Sequence, residues 1–586
     1  MDGFLSGGAH RDRAVRQERL LKRLWTGWSA DRRKFLAGGA LASGWLAMGC
    51  QSPASETAGQ TSDWPDWAPD LDKHYAAVDR QSSQAVDLRE FGAIVDGVAD
   101  DTQAVQRAID SGVKAVMIPP GRGLRMTGSV TIRSGMAILG NDHAAPIIWE
   151  GRDRQAFLVQ PVEEMFDVFV EDIVFDRVKI LRREGLSPSG HLVTARNVKN
   201  LTVTRCVTEG VSLCYLSHLR RLAGLYKRKN GAENVDPATV AGFASDHTRD
   251  LNDFALIADN HIDYGKFHGV VIRFNFAKHV VVFRNRGTFA NISWWGGGAR
   301  RGEGGELQFL RRVKHCYIAD NFVSGAIGGI YGNNGENVTV ARNIVKDVTD
   351  AGVDFEGCID CIAYENRVIN VGNFGLATFF AAKNIIFRDN YVEQNGDAAT
   401  LPERYGKGRI GNPQGKFVVG LRSSGFSDGD SVDVTFRRNN FVWSGDAGLG
   451  ACLGSFFGSL RFEENQFENV LCDVRYFRTG RLTVVDNRFR FTKTMAEPVN
   501  LIAGSAGVVE ITGNTIEVEG AMPAGSNLIL RELPRPRNSQ TRITSNRLAA
   551  QARSMVIRMT GKPALRTAVQ IEDNGSIPVV VENELT

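Results

Sequence analysis

Residues 256–260 read LIADN, and the same phrase, a few β-forming residues closed by Asn, keeps returning along the chain. It is VVFRN at Asn285, YIADN at Asn321, VTVARN at Asn343, IAYEN at Asn366 and IIFRDN at Asn390. It continues as VTFRRNN at Asn440, LRFEEN at Asn465, LTVVDN at Asn487, VEITGN at Asn514 and RITSN at Asn546. Most spacings fall at 22 to 27 residues, with longer gaps of 36, 50 and 32. Self-similarity at such a period marks a solenoid. The units are rich in Val, Ile, Phe and Thr, alternate with period two and turn at Gly or polar residues, so they are made of strands. A unit this long holds about three short strands, one rung of a parallel β-helix. Stacked rungs pair along their length at roughly 4.8 Å. Asn repeated at one corner then stacks into a hydrogen-bonded ladder with a structural duty. The Leu spacing of leucine-rich repeats is absent, and no long 3.6-residue pattern runs through residues 250–550.

One repeat over most of 586 residues predicts a single elongated all-β domain over 85–586, with about 10–13 rungs. Near the N-terminus, Arg32-Arg33-Lys34-Phe35-Leu36 precedes a weakly apolar run, Ala37 to Gly49. This reads as a twin-arginine export signal over residues 1–50. The run is shorter than the roughly 20 residues that span a bilayer. Cys50, after Leu46-Ala47-Met48-Gly49, resembles a lipoprotein processing site, with simple cleavage nearby as the alternative. The expected location is the periplasm or cell envelope, with the membrane reached through a lipid on Cys50 if at all. Residues 51–84 read as a tether in which Trp64, Pro65 and Trp67 begin to pack.

The signal carries nine Lys/Arg and four Asp/Glu in residues 1–49, so the remainder of the +4 chain has a net charge of −1. Basicity belongs to the export segment and argues against a nucleic-acid partner. The seven Cys beyond Cys50 are irregularly spaced, Cys358-x-x-Cys361 included, and no cofactor or metal is called for.

In residues 86–121, Asp100 or Asp101 can cap a helix whose Ala104, Val105, Ala108 and Ile109 form one apolar face. A strand, Ala115 to Ile118, and Pro119-Pro120-Gly121 follow. Such a helix plugs the open end of a first coil. With Phe91-Gly92-Ala93, Asp96-Gly97 and Asp100-Asp101-Thr102, this segment resembles the opening of the pectate-lyase-like superfamily, which includes rhamnogalacturonase-like and tailspike proteins. The resemblance implies a right-handed parallel β-helix that handles polysaccharides by hydrolysis, β-elimination or epimerisation. The Gly-His-Gly and Arg-Ile-Lys of polygalacturonase-type hydrolases are missing. So are the Asp-Pro-His of mannuronan epimerases and the dense Asp cluster of calcium-dependent pectate lyases. Function must therefore come from the site.

A strand precedes each Asn phrase: HGVVIRF (268–274), NISWWGG (291–297), GGIYGNN (328–334), AGVDFEG (351–357) and FGLATFF (374–380). With Val270, Ile272, Ile330, Val353 and Phe355 facing in, Arg273, Tyr331, Asn333, Asp354, Glu356 and Phe379 face out. Trp294 or Trp295 joins them according to the local register. Asp354 and Glu356 lie about 6.5–7 Å apart at Cα on one face. That suits paired carboxyls of a glycosidase, with Asp350 a third acid nearby. Arg273, Tyr331, Asn333, Trp295, His268 and Lys266 are the candidate sugar-binding residues. Insertions near 213–250, 296–312 and 395–416 are basic and would wall a groove for an anionic polysaccharide.

The expectation is an exported enzyme cleaving an acidic polysaccharide, with Asp354 and Glu356 dividing acid and base duties in a hydrolase. In a lyase, Lys266, His268 or Tyr331 would abstract the C5 proton. A uronate epimerase and a non-catalytic surface glycan-binding protein are the alternatives.

Overall fold

The computed structural model describes residues 63–162, 168–218, 251–266, 270–296, 312–379, 382–401, 415–422, 432–455, 457–474, 479–533, 539–549, 555–560, 567–575 and 577–581. The twin-arginine segment, Cys50 and His268 lie outside them, as do 219–250, 297–311 and 402–414, the larger part of the three basic insertions.

Three parallel sheets of 16, 17 and 16 strands run side by side, and the chain visits them in turn. One coil shows the pattern: Val353–Glu356 in the first sheet, Ile359–Tyr364 in the second, Arg367–Ile369 in the third. The next coil repeats it with Leu376–Phe379, Lys383–Arg388 and Tyr391–Gln394. Register is kept residue for residue, Val353 on Leu376, Ile362 on Ile386 and Val368 on Val392. Alternation places Val353, Phe355, Leu376 and Val368 inside, where one apolar core runs the length of the coil. The coil is therefore a parallel β-helix, and longer than the 10–13 rungs expected. The early rungs escape notice because Val178 and Cys206, not Asn, occupy the corner. The Cys206 amide donates to Asn260 Oδ1 (2.9 Å), where the Asn ladder begins.

From there twelve Asn stack, from Asn260 to Asn574. In each step the Nδ2 and main-chain N–H of one donate to Oδ1 of the next, as from Asn343 to Asn366 at 2.9 and 3.0 Å. A second Nδ2 hydrogen reaches a carbonyl of the preceding coil, Ile318 O for Asn343 (2.9 Å). Two expectations are corrected. Asn439 stands in the ladder, bonded to Asn390 and Asn465, while Asn440 opens the following strand. Asn574 extends the ladder past Asn546.

The residue before each ladder Asn is left-handed, φ running from 52° to 70° between Asp259 and Asp573. Non-Gly residues rarely adopt this conformation. Here charge partners hold it: Arg284 binds Asp259 through two bonds (2.8 and 2.7 Å), Arg342 binds Asp320, and Arg438 binds Asp389. A ladder of charges thus flanks the ladder of amides.

The cap forms as expected. Thr102–Asp110 is a helix with Ala104, Val105, Ala108 and Ile109 buried. Asp100 Oδ1 receives the Thr102 amide, whereas Asp101 turns away to take the amides of Ile94 (2.7 Å) and Val95 (3.1 Å). Both acids hold the opening turn.

Residues 64–82 form a strap on the outside of the second sheet. Trp64 packs edge-on against Phe283 and Tyr317, at 5.0 and 5.6 Å. Leu71, on the helix Leu71–Ser82, closes over Leu256, Ala258 and Val281. Further along that helix Tyr75 hydrogen-bonds Asp259, and Asp79 bridges Arg177 and Arg205, which also hold the fully buried Asp176. The outward row beneath the strap is apolar (Leu256, Val281, Tyr317). Past Tyr317 the same row runs Thr339, Ile362, Ile386 and then Thr435, Arg461 and Thr483.

Candidate active site

The first sheet carries the candidate residues on its outer face. Across consecutive coils the register stacks Tyr215, Arg273, Ser293, Tyr331, Asp354, Ala377 and Gly420 in one row. Asn275, Trp295, Asn333, Glu356 and Phe379 form the row beside it. The parity read from sequence holds for Arg273, Tyr331, Asn333, Asp354, Glu356 and Phe379. Val270 precedes its strand, so Ile272 and Phe274 are the inward residues there. The choice between tryptophans is settled as well. Trp294 is fully buried against Phe355, and Gly332 opposite lacks the Cβ that would strike its ring. Trp295 stands outside.

Asp354 is 3% exposed, although it lies on the outer face. Its Oδ1 is buried and has no hydrogen-bond partner among the described residues. A carboxylate so placed lacks the water and the donors that stabilise its charge. Burial therefore raises its pKa well above the usual range, and the negative fields of Glu356 and Asp350 and the buried Cys358 thiol raise it further. Glu356, two positions along the strand, is half-exposed. Asp350, in the turn before the strand, is anchored by Asn373 of the next coil, whose Nδ2 donates to Oδ1 (2.9 Å). The result is a buried acid whose pKa is pushed upward beside a more accessible carboxyl group. This is the asymmetry that general acid–base chemistry requires.

The row before the acids is polar and aromatic. Asn291 Nδ2 donates to the Tyr331 hydroxyl (3.2 Å), and Asn275 Nδ2 to that of Tyr215 (3.2 Å). The Arg273 guanidinium lies over the Trp295 ring at 5.0 Å from its centroid. Three coils separate Arg273 from Asp354, roughly 14 Å. Asn333 is 2% exposed, and its Oδ1 also has no partner among the described residues. Lys266 is exposed in the turn that leads into the Arg273 strand, three coils before the acids, where Arg182 is the charge it feels.

Sequence reasoning missed an apolar patch in the coils beyond the acids. Ala351, Phe374 and Ala377 are buried together on the outside of the coil, with Phe379, Phe417 and Leu453 packed on them. The signal was Gly420, inside the strand Phe417–Arg422. A Gly within a strand marks close approach, and a Cβ here would overlap the Phe374 ring. Among the described residues no group of three or more His, Cys, Asp or Glu is arranged to hold a metal ion.

The family model for the right-handed β-helix region matches residues 241–408, which contain the acids and most of the polar row. With the coil of three parallel sheets, this makes the chain a right-handed parallel β-helix protein. No curated protein matches it in sequence. Solved structures similar in fold include tailspike protein 3 of bacteriophage CBA120, at 11% identity and a TM-score of 0.42. That comparison covers 86% of this chain and 62% of the tailspike, so the chain spans less than two thirds of it. A mutant tailspike of the Escherichia coli bacteriophage HK620, solved with a pentasaccharide, is 14% identical over 86% of this chain and 81% of its own, with a TM-score of 0.44. A surface adhesin of Streptococcus pneumoniae is 13% identical over 75% and 92%, with a TM-score of 0.37.

Proposed function

We propose that this protein is an exported glycoside hydrolase that binds a polysaccharide along the outer face of the first sheet and cleaves it between Asp354 and Glu356. The observation that carries the reading is the buried Asp354, its pKa raised by burial and by the charge of Glu356, set two strand positions from the more exposed Glu356. Asp354 donates its proton to the glycosidic oxygen as the bond to the anomeric carbon breaks. Glu356 supplies negative charge to that carbon, by activating water or by direct attack, and both geometries fit the Cα separation of about 6.5–7 Å. Burial and the charge of Glu356 raise the Asp354 pKa, and the charge of Asp350 adds to them. Arg273 and Trp295 bind an anionic sugar about three coils away, the cation holding its carboxylate and the indole supporting its ring.

Elimination is less well supported. It needs a base at C5 and a cation on the uronate: Lys266 stands three coils from the acids and His268 lies outside the described residues, which leaves Tyr331, one coil from Asp354 and two from Arg273, as the base. Purified mature protein incubated with a panel of acidic polysaccharides separates the two chemistries. Hydrolysis raises reducing ends without absorbance near 235 nm. A rise in both signals means lyase, and retained binding with neither signal means a glycan-binding protein.

A further inference from the structure

Solvent-facing strands rarely present aromatic clusters unless something apolar covers them. Next to the acids the outer face changes character within one coil. Asp354 is followed in its row by Ala377 and then by Gly420, with Phe374 folded over it, and Glu356 is followed by Phe379. Phe374 meets Phe379 at 5.9 Å and Phe417 at 5.8 Å, and Leu453 extends the patch one coil further. Phe374 and Ala377 are buried, whereas Phe379, Phe417 and Leu453 remain partly exposed. The apolar surface is continuous with the acid pair through the Glu356–Phe379 register, so whatever lies across the acids reaches it within about 5 Å. On the opposite side of the acids the face is polar and carries Arg273.

We propose that Phe374, Phe379 and Phe417 form a subsite, on the far side of the scissile bond from Arg273, that selects a sugar bearing a methyl group. This rests on the reading of the face as a glycan site. A sugar ring offers few apolar surfaces, and a methyl in place of a polar substituent, on C6 or at the end of an acyl group, is the group an aromatic pocket recognises. The substrate is accordingly heterogeneous: an anionic sugar on the Arg273 side and a methyl-bearing one on the Phe379 side.

Calorimetric titration tests this with matched oligosaccharide pairs that differ in one methyl: a 6-deoxyhexose against its parent hexose, and an N-acetyl against an N-formyl sugar. The expected result is about tenfold tighter binding of the methyl-bearing partner in one pair, which also identifies the methyl's origin. F379S should bring that ratio close to one, while F417L, which keeps an aliphatic surface, should retain most of it. Equal affinities in both pairs for the unmodified protein would overturn the subsite. So would an F379S protein with normal melting temperature and an unchanged ratio. The readout is binding, so a preference without cleavage would count against hydrolysis alone, and cleavage without a preference against the subsite alone.

Discussion

At the scale of single residues, Asp354 and Glu356 differ by environment, and that difference predicts distinct mutant behaviour. The raised pKa of Asp354 means that the folded protein prefers it protonated. Folding is unpenalised below the unfolded carboxyl value, about 3.9, and loses stability as pH rises through the folded value. Asp354→Asn removes that penalty. Its melting temperature should therefore exceed that of the unmodified protein by an amount that grows with rising pH, while its activity falls. If the proposed hydrolysis holds, the unmodified protein should lose kcat/KM on the alkaline side as Asp354 deprotonates, a limb read directly from a pH–rate profile. How far this was legible in sequence depended on the residue. The two-residue spacing placed both acids outside, but burial of Asp354 could not be read, because it depends on what covers the strand and not on the strand itself. Trp294 and Trp295 show the same limit: one residue of register separates core from surface.

At the scale of elements, the ladders and the strap hold the coil. Asn343→Ala would leave the Asn321 amide without its acceptor in a buried corner and would take one bond each from Asn321 Nδ2, Ile318 O and Asn366 Oδ1, of which Asn321 Nδ2 keeps Val282 O and Asn366 Oδ1 keeps the main-chain amide of residue 343. A loss of about 2–4 kcal/mol is expected in chemical denaturation, against near zero for the same change at Asn440, which adjoins the ladder residue Asn439 but lies outside the ladder. The strap gives a second test. Trp64→Ala uncovers Phe283 and Tyr317 and should cost about 2–4 kcal/mol, with increased binding of a hydrophobic dye. The Asn phrase was visible because amides repeat with the period. The charge ladder was equally on display, as the Asp, Arg or Glu before every ladder Asn except Asn514 and Asn546. It went unread because its partner is a whole coil away in sequence, 25 residues for Asp259 and Arg284. The strap left no periodic trace, since it packs by shape against rows whose apolar character looks like ordinary strand composition.

At the scale of the molecule, the fold is a ruler about 4.8 Å per coil, and it sets what the site can do. The coil was legible as a parallel β-helix from its period, but its length was underestimated because Val178 and Cys206 break the Asn pattern in the first rungs. The outer face of the first sheet runs unbroken from Tyr215 to Phe379, about five coil steps or roughly 24 Å. An extended glycan laid along it would contact several sugars at once. Shortening an oligosaccharide on the Arg273 side should therefore lower kcat/KM stepwise, which chromatographic product analysis would show as a minimum chain length. The most direct test of the central claim is the release of reducing ends from the preferred polysaccharide by the unmodified protein and by Glu356→Gln at equal concentration. A fall of about a thousandfold, with melting temperature and polymer binding retained, is what this account predicts. Equal rates for the two proteins would contradict it.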